Sequence, residues 1–304
     1  MSMILPAVFC SSSDFRRWLI FSTSTADDFD YARPELFGLH CPSSYTITYK
    51  KTIQLGLWYI PPRGGPCAEE IKDCCKKGPV FIYFHGLPGH RGQFLNIPRF
   101  LAENINAHVF TFDYQGFGES SEGLPTRQTL LEDSLAILDT VLDVVPLERI
   151  FFWGHSFGAP IAVDLAANIS EPFGGIILEA PLSDVARRIE LGKEMNTILP
   201  AFKTCVVESA RDDDTINYNS TRSLQRVSLE VPVLILHASD DEEVPFELGR
   251  DLYEAWFRFR ADNGGAFVSM LAFEKDFGFG HNDIHKYDKL QDVVRQFLFR
   301  VPLQ

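Results

Sequence analysis

The sequence has no apolar run of the roughly 18 residues needed to cross a bilayer. It has no polybasic run, and 28 Lys and Arg stand against 41 Asp and Glu, a formal net charge of −13. A field of that sign repels phosphate backbones and offers anionic lipid nothing to hold, so nucleic acid is excluded as an expected partner. The six cysteines (Cys10, Cys41, Cys67, Cys74, Cys75 and Cys205) lack the spacing of a zinc site, and the adjacent Cys74 and Cys75 are poorly placed for a disulfide. They read as free thiols of a reducing compartment, hence of a cytoplasmic protein. Met1 to Cys10 has no basic leading segment, and Pro6 breaks its apolar part, so it reads poorly as a secretory signal. No internal repeat or low-complexity block is present.

What is present is ordinary globular material. The 304 residues are 45% hydrophobic and 23% charged, which excludes a wholly disordered, collagenous or coiled-coil chain. Phe is heavily used, with 26 residues, and implies a large apolar surface in a core or a pocket. The length suits two domains, or one α/β domain with an insertion. Residues 1–44 read as an irregular segment rich in Ser, Asp and Pro, and 45–304 as the folded domain. Within the leading segment, Arg16 to Phe21 suits ordinary packing or a membrane interface.

The spacing predicts alternation. Strands are expected over Tyr45–Tyr49, Ile53–Ile60, Val80–Phe84, His108–Tyr114, Arg149–Trp153, Gly174–Leu178, Val233–His237 and Phe267–Phe273. Helices are expected over Phe94–Asn104, Thr129–Val145, Ser156–Asn168, Phe246–Phe259 and Lys286–Phe299. A polar loop carrying three cysteines separates Pro61 from Gly78. Continuous apolar runs such as Val80–Phe84 suit strands buried on both faces. The expected fold class is therefore α/β, a mostly parallel central sheet with helices on both faces. Residues 182–230 break the rhythm and read as an inserted lid of short helices.

The sharpest chemical signal is Gly154-His155-Ser156-Phe157-Gly158, a G-x-S-x-G set between an expected strand and an expected helix. A tight strand-turn-helix strains the serine and lifts its Oγ above the sheet, while the glycines let neighbouring backbone pass close. A serine hydroxyl needs a base, and eight histidines compete. In the order serine, acid, histidine, only His237, His281 and His285 remain. His237 ends a buried strand, whereas His281 lies in a Gly-rich loop after the last strand; His281 is the leading candidate and His285 its rival. The acid is sought after a strand: Asp241 leads, Asp240 is its neighbour and rival, and Glu179 and Asp184 follow the preceding strand. The oxyanion needs two backbone donors. Phe157, directly after the serine, and Leu87, in the turn His85-Gly86-Leu87-Pro88-Gly89, are the candidates. The polar turn Asp113 to Ser120 reads as support beneath the site.

These stretches together resemble the α/β-hydrolase superfamily. The run Leu234 to Tyr253 is similar, more narrowly, to the abhydrolase-domain monoacylglycerol and lysophosphatidylserine lipase branch. The resemblance covers about residues 45–300. In its register Val244-Pro245 places the acid on Asp241, and the Gly-x-Gly-His-Asn-Asp context places the base on His281. The turn at Leu87-Pro88 departs from the family's usual loop but keeps the Leu87 amide.

The resemblance implies a serine hydrolase acting on monoacylglycerols or lysophospholipids, with no metal or organic cofactor. A peripheral contact with the endoplasmic reticulum or another intracellular membrane is the expectation that accompanies such a substrate. Met195, Leu199 and Phe202, in the expected lid, are the candidate substrate-binding residues. The same fold also hosts depalmitoylating thioesterases and peptidases, and a non-catalytic binding protein is the reading from another class.

Overall fold

Val80–Phe84 (β3), Ile150–His155 (β5) and Val233–Ala238 (β7) are buried along their whole length. In the computed structural model, which describes residues 4–23, 29–65, 75 and 77–300, they lie in the parallel part of an eight-stranded sheet. The other strands are Ser43–Tyr49 (β1), Ile53–Ile60 (β2), His108–Phe112 (β4), Gly175–Glu179 (β6) and Val268–Phe273 (β8). Their spatial order is β1-β2-β4-β3-β5-β6-β7-β8. Only β2 runs against its neighbours β1 and β4; every other pair is parallel. All eight expected strands are present, with ends shifted by at most two residues.

Helices cover both faces, because strands apolar on both sides need two lids of side chains. On one face Arg127–Leu142 (α4) brings Leu130, Ile137 and Val141 against Phe152, and Gly158–Ala166 (α5) adds Ile161 and Val163. On the other, Asn96–Phe100 (α3) and Leu290–Leu298 (α9) bring Ile97, Val294 and Phe297 against Phe151 and Trp153. The single helix expected over Phe94–Asn104 is instead α3 followed by a wide π-type turn, Leu101–Ile105. Phe246–Asn263 (α8) packs along β7 and β8. Residues 182–230 hold Val185–Leu191 (α6), Pro200–Asp212 (α7) and shorter turns.

Two expectations are corrected. The leading segment is not irregular: Ile4–Ser11 (α1) and Ser13–Phe21 (α2) are helices, although 1–3 and 24–28 lie outside the described residues. Ser12 caps α2 by accepting the Phe15 amide, and Phe21 is wholly buried. The reason is tertiary. The pair docks on α7, and Arg16 binds the carbonyls of Phe9 and Cys10 as well as Asp213 (2.7 Å). The second correction concerns sulfur. Cys10 is joined to Cys205 on α7, Cα atoms 5.9 Å apart, and Cys41 is also disulfide-bonded. Residues 195 apart meet only because α1 crosses α7, which no spacing rule reveals. The expectation of a reducing compartment loses that support. Most of the cysteine loop expected over 61–78, Cys67 and Cys74 included, lies outside the described residues. No helix among the described residues is long and apolar enough to cross a membrane.

Asp213 is the point on which the leading helices are fixed. Burial opposes its charge, but hydrogen bonds from Thr215, Arg16 and Ser13 hold its carboxyl below the ordinary range. Its contribution is thus fully present above about pH 4 and fades as pH falls through the lowered folded value. Asp213→Ala should lower unfolding stability by about 2 to 3 kcal/mol at pH 7, read by denaturant titration. At pH 3 the gap between variant and parent should shrink.

Candidate active site

Ser156 stands at the end of β5, where the chain turns sharply into α5. Its φ of 53° is left-handed, as the strained turn requires. The two glycines are there for space. A Cβ on Gly154 would lie 2.6 Å from Ala159 Cα, and one on Gly158 would lie 2.0 Å from the Phe84 carbonyl oxygen. Backbone cannot yield as a side chain can, so both positions exclude any larger residue.

Three side chains meet above this turn. His281 Nε2 is 2.8 Å from Ser156 Oγ, and His281 Nδ1 is 2.7 Å from Asp241 Oδ2. An ionised carboxylate only accepts, so Nδ1 carries the proton and Nε2 is left to accept from the serine hydroxyl. Ser156 is 6% and His281 8% exposed, so both work largely out of water. The other Asp241 oxygen accepts the amides of Glu243 (2.9 Å) and Val244 (2.8 Å), a tight side-chain turn. Burial disfavours the Asp241 charge, but His237 and His281 hydrogen bonds, with the Val244 amide, hold its carboxyl well below the usual range.

His237, set aside above because it ends a buried strand, belongs to this network. Its Nε2 lies 3.2 Å from Asp241 Oδ2 and 3.1 Å from the Val244 carbonyl. Both partners are acceptors, so Nε2 carries the proton and is shared between them. The rival acid Asp240 instead accepts the Gly280 amide (3.1 Å) and shapes the histidine loop. His285 points back to the Asn282 carbonyl (3.1 Å). Glu179 binds the Trp153 indole (2.9 Å), and Asp184 caps α6 through the Arg187 amide.

His155 braces the same loop from below, with Nε2 3.2 Å from Asn282 Oδ1. Burial opposes its protonation, yet the nearby Glu179 carboxylate raises its proton affinity above the ordinary histidine value. Beneath the Leu87 turn, the buried Asp113 accepts the Arg91 amide and ion-pairs with the Arg91 guanidinium. The guanidinium also packs over the rings of Tyr31 and Trp58. His85 is fully buried there, and desolvation pushes it down to about 4, so it stays neutral. This is how the turn around Asp113 supports the site. The Leu87 turn passes close over the serine: a Cβ on Gly86 would be 3.1 Å from Ser156 Cβ. Leu87 and Phe157 line the same cavity as Ser156.

A cavity of about 730 Å³ opens from Ser156 and His281. Met195 lines it, with Ile198 and Val206 from the same segment. Leu199 and Phe202 do not: Leu199 turns to solvent, and Phe202 lies one turn before Val206, half-buried and outside the wall. Much of the remaining wall was not anticipated. It comes from α1 and α2 through Leu5, Phe9, Phe15, Trp18 and Leu19. Their sequence signal is the apolar spacing of 4–21, masked by its serines. Among the described residues, no group of three or more His, Cys, Asp or Glu is arranged to hold a metal ion.

His237→Leu should lower kcat about tenfold with little change in KM, because Asp241 loses one of the donors that aim it at His281. A steady-state comparison on a soluble ester measures the split.

Residues 79–205 match a family described by the α/β-hydrolase fold. The chain is 28% identical over 282 residues to a Danio rerio protein named lysophosphatidylserine lipase ABHD12, covering 88% of this chain and 72% of the relative. It is 31% identical over 285 residues to human protein ABHD12B, covering 88% and 75%. Among solved structures, the Pyrococcus furiosus esterase Pf2001 superposes with a TM-score of 0.64 at 17% identity, over 91% of this chain and 97% of that one. The strained serine, the mixed sheet and these likenesses agree, and the chain belongs to the α/β-hydrolase family, with ABHD12 and ABHD12B among its relatives.

Proposed function

We propose that this chain is a serine hydrolase of single-chain lipid esters, of the monoacylglycerol and lysophospholipid classes. The observation that carries the reading is the hydrogen-bonded run Asp241–His281–Ser156 at the floor of an apolar cavity. A short-chain metabolite would not need walls of Leu, Phe, Trp and Met. Relatives named lysophosphatidylserine lipases support a lipid ester as substrate.

Ser156 Oγ attacks the ester carbon as His281 Nε2 takes its proton, and Asp241 steadies the imidazolium. The Leu87 and Phe157 amides receive the oxyanion. His281 returns the proton to the leaving alcohol, water then attacks the acyl-enzyme by the same route, and the fatty acid leaves. The acyl chain lies along Met195, Ile198 and Leu19, each buried methylene contributing roughly 0.8 kcal/mol. Residues 182–230 and the α1–α2 pair thus act as two halves of one lid.

Ser156→Ala should cut turnover by about 10³-fold or more and abolish labelling by a fluorophosphonate, with the melting temperature near that of the parent. Labelling that survives the substitution would move the nucleophile elsewhere. Leu19 is 48% exposed yet lines the cavity, so its replacement spares the core. Leu19→Asp should reduce kcat/KM on a long-chain monoacylglycerol at least about tenfold more than on p-nitrophenyl acetate. Equal losses on both esters would remove the leading helices from the acyl site.

A further inference from the structure

Among the described residues, the charged groups lining the cavity are few. They are Arg188, Glu194 and Glu243, beside His281. Arg188 Nη1 is 3.5 Å from the Glu194 carboxylate, so these two largely cancel. Among the described residues, Glu243 has no ion-pairing partner within 4.0 Å except His281 itself, whose Nε2 is 4.0 Å from Glu243 Oε2. The other Glu243 oxygen accepts from the Asn282 side chain at 3.4 Å, and its backbone amide is bound by Asp241. The turn that fixes the acid therefore also fixes a carboxylate over the histidine. It is on the solvent side, with a side chain 65% exposed.

His281 Nε2 is the atom that must protonate the leaving alcohol, so the leaving oxygen sits at about 3 Å from it. Whatever that oxygen is attached to passes beside Glu243. We propose that Glu243 is a selectivity residue: it accepts hydroxyls of a neutral polyol leaving group and disfavours leaving groups that carry phosphate. In 1-oleoylglycerol the second and third carbons from the leaving oxygen each bear a hydroxyl, a donor for the carboxylate. In the 1-acyl lysophospholipid the hydroxyl on the third carbon is replaced by a phosphate ester, and like charges meet at the mouth. At separations of about 6 Å and the intermediate dielectric of a protein surface, the repulsion amounts to roughly a tenfold effect. The inference rests on the proposed lipid-ester activity and deepens it, and it parts this chain from relatives whose names carry an anionic lipid.

The test compares 1-oleoylglycerol with 1-oleoyl-lysophosphatidylserine, each in neutral detergent micelles. The full chain should favour the glyceride in kcat/KM by about tenfold or more, and 0.5 M salt should narrow that preference by screening. Glu243→Gln should narrow the ratio about fivefold, and Glu243→Lys should narrow it further. An exposed side chain on an intact backbone turn leaves both variants folded, which a thermal melt checks. A ratio unmoved by both substitutions would overturn the inference alone. So would a preference for the anionic lipid that disappears in Arg188→Gln, since Arg188 would then be the head-group contact. Turnover of neither lipid by a fluorophosphonate-reactive protein would overturn the proposed function, and this inference with it.

Discussion

A serine at φ 53° costs on the order of 1–3 kcal/mol, and the surroundings must hold it there. They do so through backbone. The Ser156 amide donates to the Glu179 carbonyl (2.9 Å), and its own carbonyl accepts from Ala159 and Leu182 (3.2 Å each). The turn is thereby tied to β6 and to the start of the segment over the cavity. Helix α5 can follow so abruptly only because Gly158 rides against the Phe84 carbonyl. One close approach between a helix start and a strand end thus sets where the hydroxyl points, and every other part of the site is arranged around it.

The acid and base are held by the opposite means, side chains bound to loops. Asp241 receives four hydrogen bonds, two from imidazoles and two from amides of its own turn. Its low proton affinity follows from that count and overrides burial. His281 has fewer constraints of its own and depends on neighbours: Asp240 on the Gly280 amide, His155 on Asn282. The serine is thus fixed through its backbone, and the histidine through the side chains around its loop.

The central sheet was legible because its strands are apolar without interruption, and a buried strand leaves that trace whatever packs on it. The serine turn was legible because steric exclusion fixes both glycines. Asp241 could be told from Asp240 only by register with Val244, and the structure gives the physical reason: the Val244 amide and carbonyl bind Asp241 and His237 respectively. What escaped was what depends on contacts distant in sequence. The helices over 4–21 are short and interrupted by serines, and they are stabilised by docking on α7 and by Asp213. The cavity wall was misplaced by a turn at Phe202, because the phase of α7 against α1 and α6 is decided by packing. The cysteine pairing was hidden for the same reason.

The division of the wall separates two tasks. Phe21, at the end of α2, meets the ring of Phe157, which in turn meets Tyr218. The helix pair therefore abuts the residue after the nucleophile without supplying any reacting atom. Much of the apolar wall and the reacting atoms thus come from separate stretches of the chain. Some twenty leading residues could therefore be rewritten, and much of the cavity wall with them, while Ser156, Asp241 and His281 keep their mutual contacts.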